Sequence, residues 1–338
     1  MNSATDRVYD VALIGAGPCG LAMAIALKGA NVSYIQLDRA EMGHTINWFP
    51  QEMKFFSSGD LLELGNLPLS FQSDRPTKEE YLRYLRGVVD YYDLKINTYE
   101  QVDRIEGESG NFNLHCQRKN GSKHGYRSKL LIMAVGSTAR PNLLGIPGED
   151  MPHVSHYFVE PHRYYGRRVL IVGGRNSTAD AALRLYHNGV GKVIISYRGE
   201  EMHRKIIKYW ILPEINTLIK EGQVEAHFKT APVRIDAEKT VLRSIKTGRE
   251  FDVGCDFVLL FTGYLPDYTL LEQLGLRCQG TDQEPLYDEH TMQSTVPGVY
   301  LCGTITTGGR RPDQVFIENA RFHYKPIIKD VLKKLGRQ

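Results

Sequence analysis

The chain has 338 residues, 42% hydrophobic and 24% charged, with a formal net charge of +3. That length suggests about two domains, each able to bury a core, in an ordinary globular composition. No long basic run points to nucleic acid, no apolar run is long enough to cross a bilayer, and residues 1–7 lack the apolar heart of a signal peptide, so a cytoplasmic location is expected.

In chain order, the first signal is the strongest. A short apolar run, Val11–Ile14, ends in Gly15-x-Gly17-x-x-Gly20, and an Ala- and Leu-rich helical pattern follows from Leu21. This is the strand, tight turn and helix that cradle a dinucleotide pyrophosphate. Gly15 permits the turn, Gly17 lets backbone approach the phosphates, and Gly20 lets helix pack on strand. A second apolar run, Val32–Leu37, ends in Asp38. That acid stands 23 positions beyond the first glycine, near the spacing at which a carboxylate grips a ribose hydroxyl. The stretches 42–50 and 54–68 are aromatic and glycine-punctuated, and long loops of this kind beside a nucleotide fold often cover a ligand.

A helix is expected from Thr77, with Glu80 completing a capping box. Residues 102–129 alternate apolar and polar around Asn120-Gly121, the pattern of an antiparallel meander with a tight turn. A buried strand, Leu130–Val135, then leads to Gly136, and residues 145–150 form a connection. At Arg168–Val172 the strand–glycine–helix pattern starts again, through Gly173, Gly174, Arg175, Asn176 and Ser177. Its next strand, Val193–Ser196, is followed by Tyr197-Arg198, with Arg204 and Lys205 close behind and no carboxylate directly after it. Arginine pairs with a ribose 2′-phosphate where an acid would repel it, so this second site reads as one for NADPH. A further meander is expected over 224–253. The chain continues through a strand ending at Thr262-Gly263-Tyr264 and another closing on Cys302-Gly303-Thr304.

The expected fold class is α/β, with two Rossmann-like dinucleotide-binding domains (three-layer ββα type), one inserted in the other. The expected boundaries are 1–141 and 269–338 for the first domain and 142–268 for the inserted one. None of the five cysteines forms a Cys-x-x-Cys, so no local dithiol or zinc motif is written. Cys19 is the one with a suggestive address, at the first turn of a helix whose dipole favours a thiolate.

This arrangement resembles the two-domain flavoproteins of the low-molecular-weight thioredoxin reductase build. Gly17-Pro-Cys-Gly20, Phe55-Phe-Ser-Ser58, Lys208-Tyr-Trp-Ile-Leu-Pro213 and Phe316–His323 are similar to motifs of the bacillithiol disulfide reductase family within it. The resemblance implies FAD in the first domain, NADPH in the second, and reduction of a low-molecular-weight thiol disulfide without a Cys-x-x-Cys. It implies an FAD site of Gly15, Gly17, Pro18, Cys19, Gly20, Asp38, Arg39, Thr45, Phe56, Ser57, Ala134, Gly136, Gly303, Thr304 and Phe316. The corresponding NADPH site is Gly173, Gly174, Arg175, Asn176, Ser177, Arg198, Arg204, Lys205, Gly263 and Tyr264. Cys19 is the implied redox residue, a small disulfide the implied partner, and a homodimer or homotetramer the expected assembly. Thr304 stands where most of the superfamily has an aspartate, and Arg175 where the second fingerprint has a glycine. A ferredoxin–NADP reductase, a flavin monooxygenase and a non-catalytic flavin redox sensor share the build and are the alternatives.

Overall fold

The computed structural model describes residues 7–279, 284–307 and 315–337. The chain divides into two compact units. Unit 1 comprises residues up to Asn47, Glu52–Arg140 and from Tyr264 on; unit 2 comprises Trp48–Gln51 and Pro141–Gly263. The junctions therefore fall after Arg140 and after Gly263, with the four-residue segment Trp48–Gln51 also assigned to unit 2.

Unit 1 is built on one sheet. Its strands are β1 (Val8–Ile14), β2 (Tyr34–Leu37), β3 (Ile96–Asn97), β4 (Glu100–Glu108), β5 (Asn111–Arg118) and β6 (Lys123–Met133), in the order β3-β2-β1-β6-β5-β4. β1 pairs in parallel with both β2 and β6, and Val11–Leu13 are fully buried. A central parallel strand is covered on both faces, which is why its Val11–Ile14 half is continuously apolar rather than alternating. β6 serves two partners. Its first half forms the antiparallel hairpin with β5 across Asn120-Gly121, and Leu131–Met133 pair in parallel with the late strand Val299–Leu301. The strand that closes on Gly303 thus returns to the middle of the first sheet, as an interrupted first domain requires.

Helix α1 (Pro18–Gly29) follows β1 directly. Helix α2 is the single turn His44–Asn47, and α3 spans Lys78–Tyr91. α3 starts where its capping box places it: Glu80 N–H donates to Thr77 Oγ1 at 3.2 Å and Thr77 N–H donates to Glu80 Oε2 at 2.8 Å. Thr77→Ala is expected to cost about 1 kcal/mol, read as a lower denaturant midpoint at unchanged slope; an unchanged midpoint would contradict the cap.

Unit 2 has a five-stranded parallel sheet in the order Val224–Phe228, Lys192–Tyr197, Arg168–Val172, Phe257–Leu260, Val154–Ser155. A separate antiparallel sheet holds Thr230–Ile235, Lys239–Ser244 and Glu250–Gly254. The meander expected over 224–253 is therefore one strand shorter than its pattern suggests, because Val224–Phe228 pairs into the parallel sheet instead. The helix Asn176–His187 follows Arg168–Val172, repeating the local topology of β1 and α1. No helix among the described residues is long and apolar enough to cross a membrane.

Candidate functional site

The first glycine turn shows a division of labour. Gly15 has φ +113°, and a Cβ there would stand 2.3 Å from the Ala134 carbonyl oxygen. A Cβ on Gly20 would stand 2.3 Å from the Gly15 oxygen. Both glycines are demanded by protein backbone. Gly17 is different: its φ of −76° and ψ of −179° suit any residue, and a Cβ there would meet nothing within 4 Å. The protein does not need that glycine for itself. The open space above it, at the start of α1, is what a pyrophosphate would fill.

The helix beginning there supports the same reading. α1 opens with Pro18 at its first position, has no side-chain cap and has no acid in its first turn. The second glycine-turn helix, Asn176–His187, likewise has no side-chain cap and no acid in its first turn. α3 contrasts with both, since its own Thr77 cap and the acids Glu79 and Glu80 fill that place. Two helix starts are left with their N–H groups and dipole open to an anion.

Around the first turn, unit 1 gathers most of the expected residues. Asp38 Oδ2 accepts from Ala16 N–H at 2.7 Å and Oδ1 from Ala40 N–H at 2.9 Å. Burial raises its pKa, and those two N–H groups oppose the rise. Each oxygen keeps a lone pair for a ribose hydroxyl. Arg39 pairs with Asp267 at 3.6 Å, and Thr45 is half-buried on α2. Ala134 donates its N–H to Ile14 O at 2.7 Å. Thr304 Oγ1 accepts from Ser137 N–H at 3.1 Å and sits 3.7 Å from where a Gly136 Cβ would be. The threonine at the aspartate position thus ties two strand exits together. Phe316 is exposed, and its N–H donates to Asn319 Oδ1 at 2.9 Å.

Two partners were not evident from the sequence. The Ser57 hydroxyl donates to Glu318 Oε1, joining the aromatic loop to the short helix Ile317–Ala320, while the neighbouring Phe56 carbonyl accepts from Arg75. Gly303 N–H donates to His323 Nδ1 at 3.2 Å. Both contacts span large sequence separations, so no local pattern announces them.

Cys19 is buried at the second position of α1, and a Cβ on Gly303 would stand 3.2 Å from its Sγ. Cys302 Sγ donates to the Cys19 carbonyl at 3.7 Å. Burial pushes the Cys19 thiol up to about 12, and the Glu318 carboxylate adds to the rise. The helix dipole was expected to favour a thiolate; desolvation outweighs it, and the resting side chain is a neutral thiol. Burial also raises Cys302, just beyond the apolar strand Val299–Leu301, well above its ordinary value. Cys116 and Cys255 are buried, Cys278 is exposed, and all five cysteines are free.

Burial lowers His323 from its ordinary value near 6.5 to about 4. With Nδ1 accepting from Gly303, the neutral ring carries its proton on Nε2. A depressed folded-state pKa means this stability contribution is complete above about 6.5 and is lost as pH falls through about 4. A ring NMR titration is expected to find His323 neutral at pH 5, with stability falling by a few kcal/mol as it charges. Titration near 6.5 would contradict the buried, Gly303-bound ring.

In unit 2, Gly173 has φ +152°, and a Cβ there would stand 2.5 Å from Thr178 Oγ1. A Cβ on Gly174 would stand 2.4 Å from the Tyr197 ring, so this turn is closed by an aromatic face. Asn176 is spent structurally: Nδ2 donates to Ile206 O at 2.9 Å and Oδ1 accepts from Lys208 N–H at 3.0 Å, pinning the loop that carries Arg204 and Lys205. Arg204 pairs with Glu201 at 2.9 Å. Arg175, Arg198 and Lys205 are exposed, with no ion pair among the described residues, and Ser177 is exposed beside them. Gly263 has φ +95° and open space around it, whereas Tyr264 belongs to unit 1.

Comparisons with known proteins fit this geometry. Residues 12–303 match the pyridine nucleotide-disulphide oxidoreductase family. The chain is 35% identical over 323 residues to bacilliredoxin reductase Bdr of Bacillus subtilis, covering 95% of this chain and 97% of the relative. Bacillithiol disulfide reductase Bdr from Bacillus cereus superimposes with a TM-score of 0.93 at 32% identity, over 97% of this chain and 100% of that one. The Staphylococcus aureus protein of the same name gives 0.90 at 30% identity, over 97% and 99%.

Proposed function

Because the chain belongs to the pyridine nucleotide-disulphide oxidoreductase family, and is an oxidoreductase with FAD and NADPH as cofactors, we propose that its substrate is a low-molecular-weight thiol disulfide of the bacillithiol disulfide kind. The observation that carries the substrate reading is Cys19, a free and buried cysteine at the second position of α1, beside the open Gly17 turn assigned to the dinucleotide.

FAD belongs in unit 1, held by Gly15, Gly17, Gly20, Asp38, Gly136, Gly303, Thr304 and the loop residues Phe56 and Ser57. NADPH belongs in unit 2, over the Gly173-Gly174 turn, with Arg175, Arg198 and Lys205 as the cations for its 2′-phosphate. Arg204 joins them by exchanging its exposed partner Glu201 for the phosphate. FAD, when bound, supplies two-electron transfer between the nicotinamide and the disulfide.

The chain's own chemical contribution is the Cys19 sulfur. Once deprotonated, it attacks one sulfur of the substrate, the S–S bond breaks, and the first thiol leaves with a proton. A mixed disulfide to Cys19 remains until two electrons and two protons restore both thiols. A thiol held near 12 is protected from adventitious oxidation between turnovers. Its burial also favours a small disulfide over a folded protein disulfide. The relatives carry both kinds of name, bacillithiol disulfide reductase and bacilliredoxin reductase, and the test separates them. Purified protein is offered a panel of small disulfides and oxidised bacilliredoxin with NADPH. Turnover of the small disulfides alone supports the proposal; turnover of the protein alone overturns it. The proposal places the enzyme in the cytoplasm as a homo-oligomer.

A further inference from the structure

Two glycines of unit 2 are explained by one ring. Neither Gly174 nor Gly199 has a positive φ, so conformation alone would admit a side chain at either. Space does not. A Cβ on Gly174 would stand 2.4 Å from Cγ and Cδ1 of Tyr197, and a Cβ on Gly199 would stand 2.4 Å from its Cε1. Gly174 lies in the glycine turn, and Gly199 lies just beyond the strand Lys192–Tyr197. The ring therefore rests on backbone from both chain exits. Between Tyr197 and Gly199 stands Arg198, exposed and with no ion pair among the described residues.

The surrounding backbone shows what the ring fixes. The ladder between Arg168–Val172 and Lys192–Tyr197 ends at Val172 and Ser196, and Gly173 N–H donates to Ser196 O at 2.9 Å. On the other side Tyr197 pairs with Phe228, and Gly199 O accepts from Lys229 N–H at 2.9 Å. Arg198 is thus carried on a chain held before and after it. The Tyr197 hydroxyl makes no hydrogen bond among the described residues, so the ring acts by contact. A guanidinium held in place loses less freedom on meeting a phosphate than one that swings.

We propose that Tyr197 is a positioning residue for cofactor selection. Its ring, seated on Gly174 and Gly199, sets the spacing between the glycine turn and Arg198, and so directs Arg198 to the ribose 2′-phosphate that distinguishes NADPH from NADH. This role rests on the assignment of Arg198 to that phosphate, and it requires no contact between Tyr197 and the dinucleotide.

The test is calorimetric titration of the flavin-loaded full chain with NADP+ and with NAD+, which reads binding without turnover. Arg198→Ala should weaken NADP+ about 10-fold or more and leave NAD+ within about twofold. Tyr197→Ala should also weaken NADP+ alone, by about 10-fold. Tyr197→Phe should keep wild-type affinity, because the hydroxyl has no partner to lose. In the Arg198→Ala protein, Tyr197→Ala should add less than about twofold, the non-additivity of two residues acting as a unit. Gly199→Ala keeps the ring but displaces it, and should weaken NADP+ alone; it decides the matter if thermal unfolding shows Tyr197→Ala to be misfolded. Equal loss of NADP+ and NAD+, or independent losses in the double variant, would overturn the role. An Arg198→Ala protein that keeps its NADP+ preference would defeat the cation assignment and the ring's role with it. A selective Arg198→Ala beside silent Tyr197→Ala and Gly199→Ala would defeat the ring's role alone.

Discussion

Gly17→Val is expected to fold with wild-type stability and to purify without flavin. The backbone at Gly17 is extended, with φ −76°, and a Cβ there meets nothing within 4 Å, so the protein tolerates the side chain. What the valine would occupy is the space at the start of α1 assigned to the pyrophosphate. Close approach of backbone to phosphate is lost, and FAD affinity should fall by about 10³-fold or more, equivalent to ~4 kcal/mol. Gly15→Ala makes the contrast. There φ is +113° and the Ala134 oxygen lies 2.3 Å from the new Cβ, so the fold itself should suffer. Thermal unfolding and flavin stoichiometry measured on both proteins separate the two roles. A flavin-replete Gly17→Val would remove the ligand from that turn.

Cys19→Ser carries the second large effect. The serine hydroxyl fits where the thiol was and cannot form a mixed disulfide. Disulfide turnover should fall by about 10³-fold or more, as when a nucleophile is removed. Flavin content and NADPH oxidation by artificial acceptors should persist, since neither needs the sulfur. The wild-type enzyme adds a pH signature. With the thiol at about 12, the step that consumes thiolate should speed up about tenfold per unit from pH 7 to 9, unless another step limits. Undiminished disulfide turnover in Cys19→Ser would leave Cys19 a structural residue packed against Gly303.

What could be read in advance follows from how local each signal is. The two strand–glycine–helix units, the Asn120-Gly121 hairpin and the Thr77–Glu80 capping box depend on residues a few positions apart, and each is present in the structure. Trp48–Gln51 was hidden because its membership is decided at a distance. Gln51 N–H donates to Val159 O at 2.8 Å, Arg184 donates to Gln51 O at 3.0 Å, and Trp48 packs edge-on to Tyr157 at 5.3 Å. Val224–Phe228 looked like part of a meander because alternation reveals a strand and not its neighbour. The Cys19 thiol was misjudged for a related reason: the helix dipole is written in the sequence, whereas desolvation depends on what the fold lays over the sulfur. His323 and Glu318 acquire meaning only through Gly303 and Ser57, neither nearby in sequence.

The central claim is that FAD in unit 1 accepts hydride from NADPH. The most direct measurement is anaerobic titration of the purified yellow protein with NADPH and, separately, NADH, following flavin absorbance. One flavin per chain is expected, bleached by one equivalent of NADPH, with NADH far slower. A colourless protein that takes up no added FAD, or bound flavin that NADPH leaves oxidised, would contradict it.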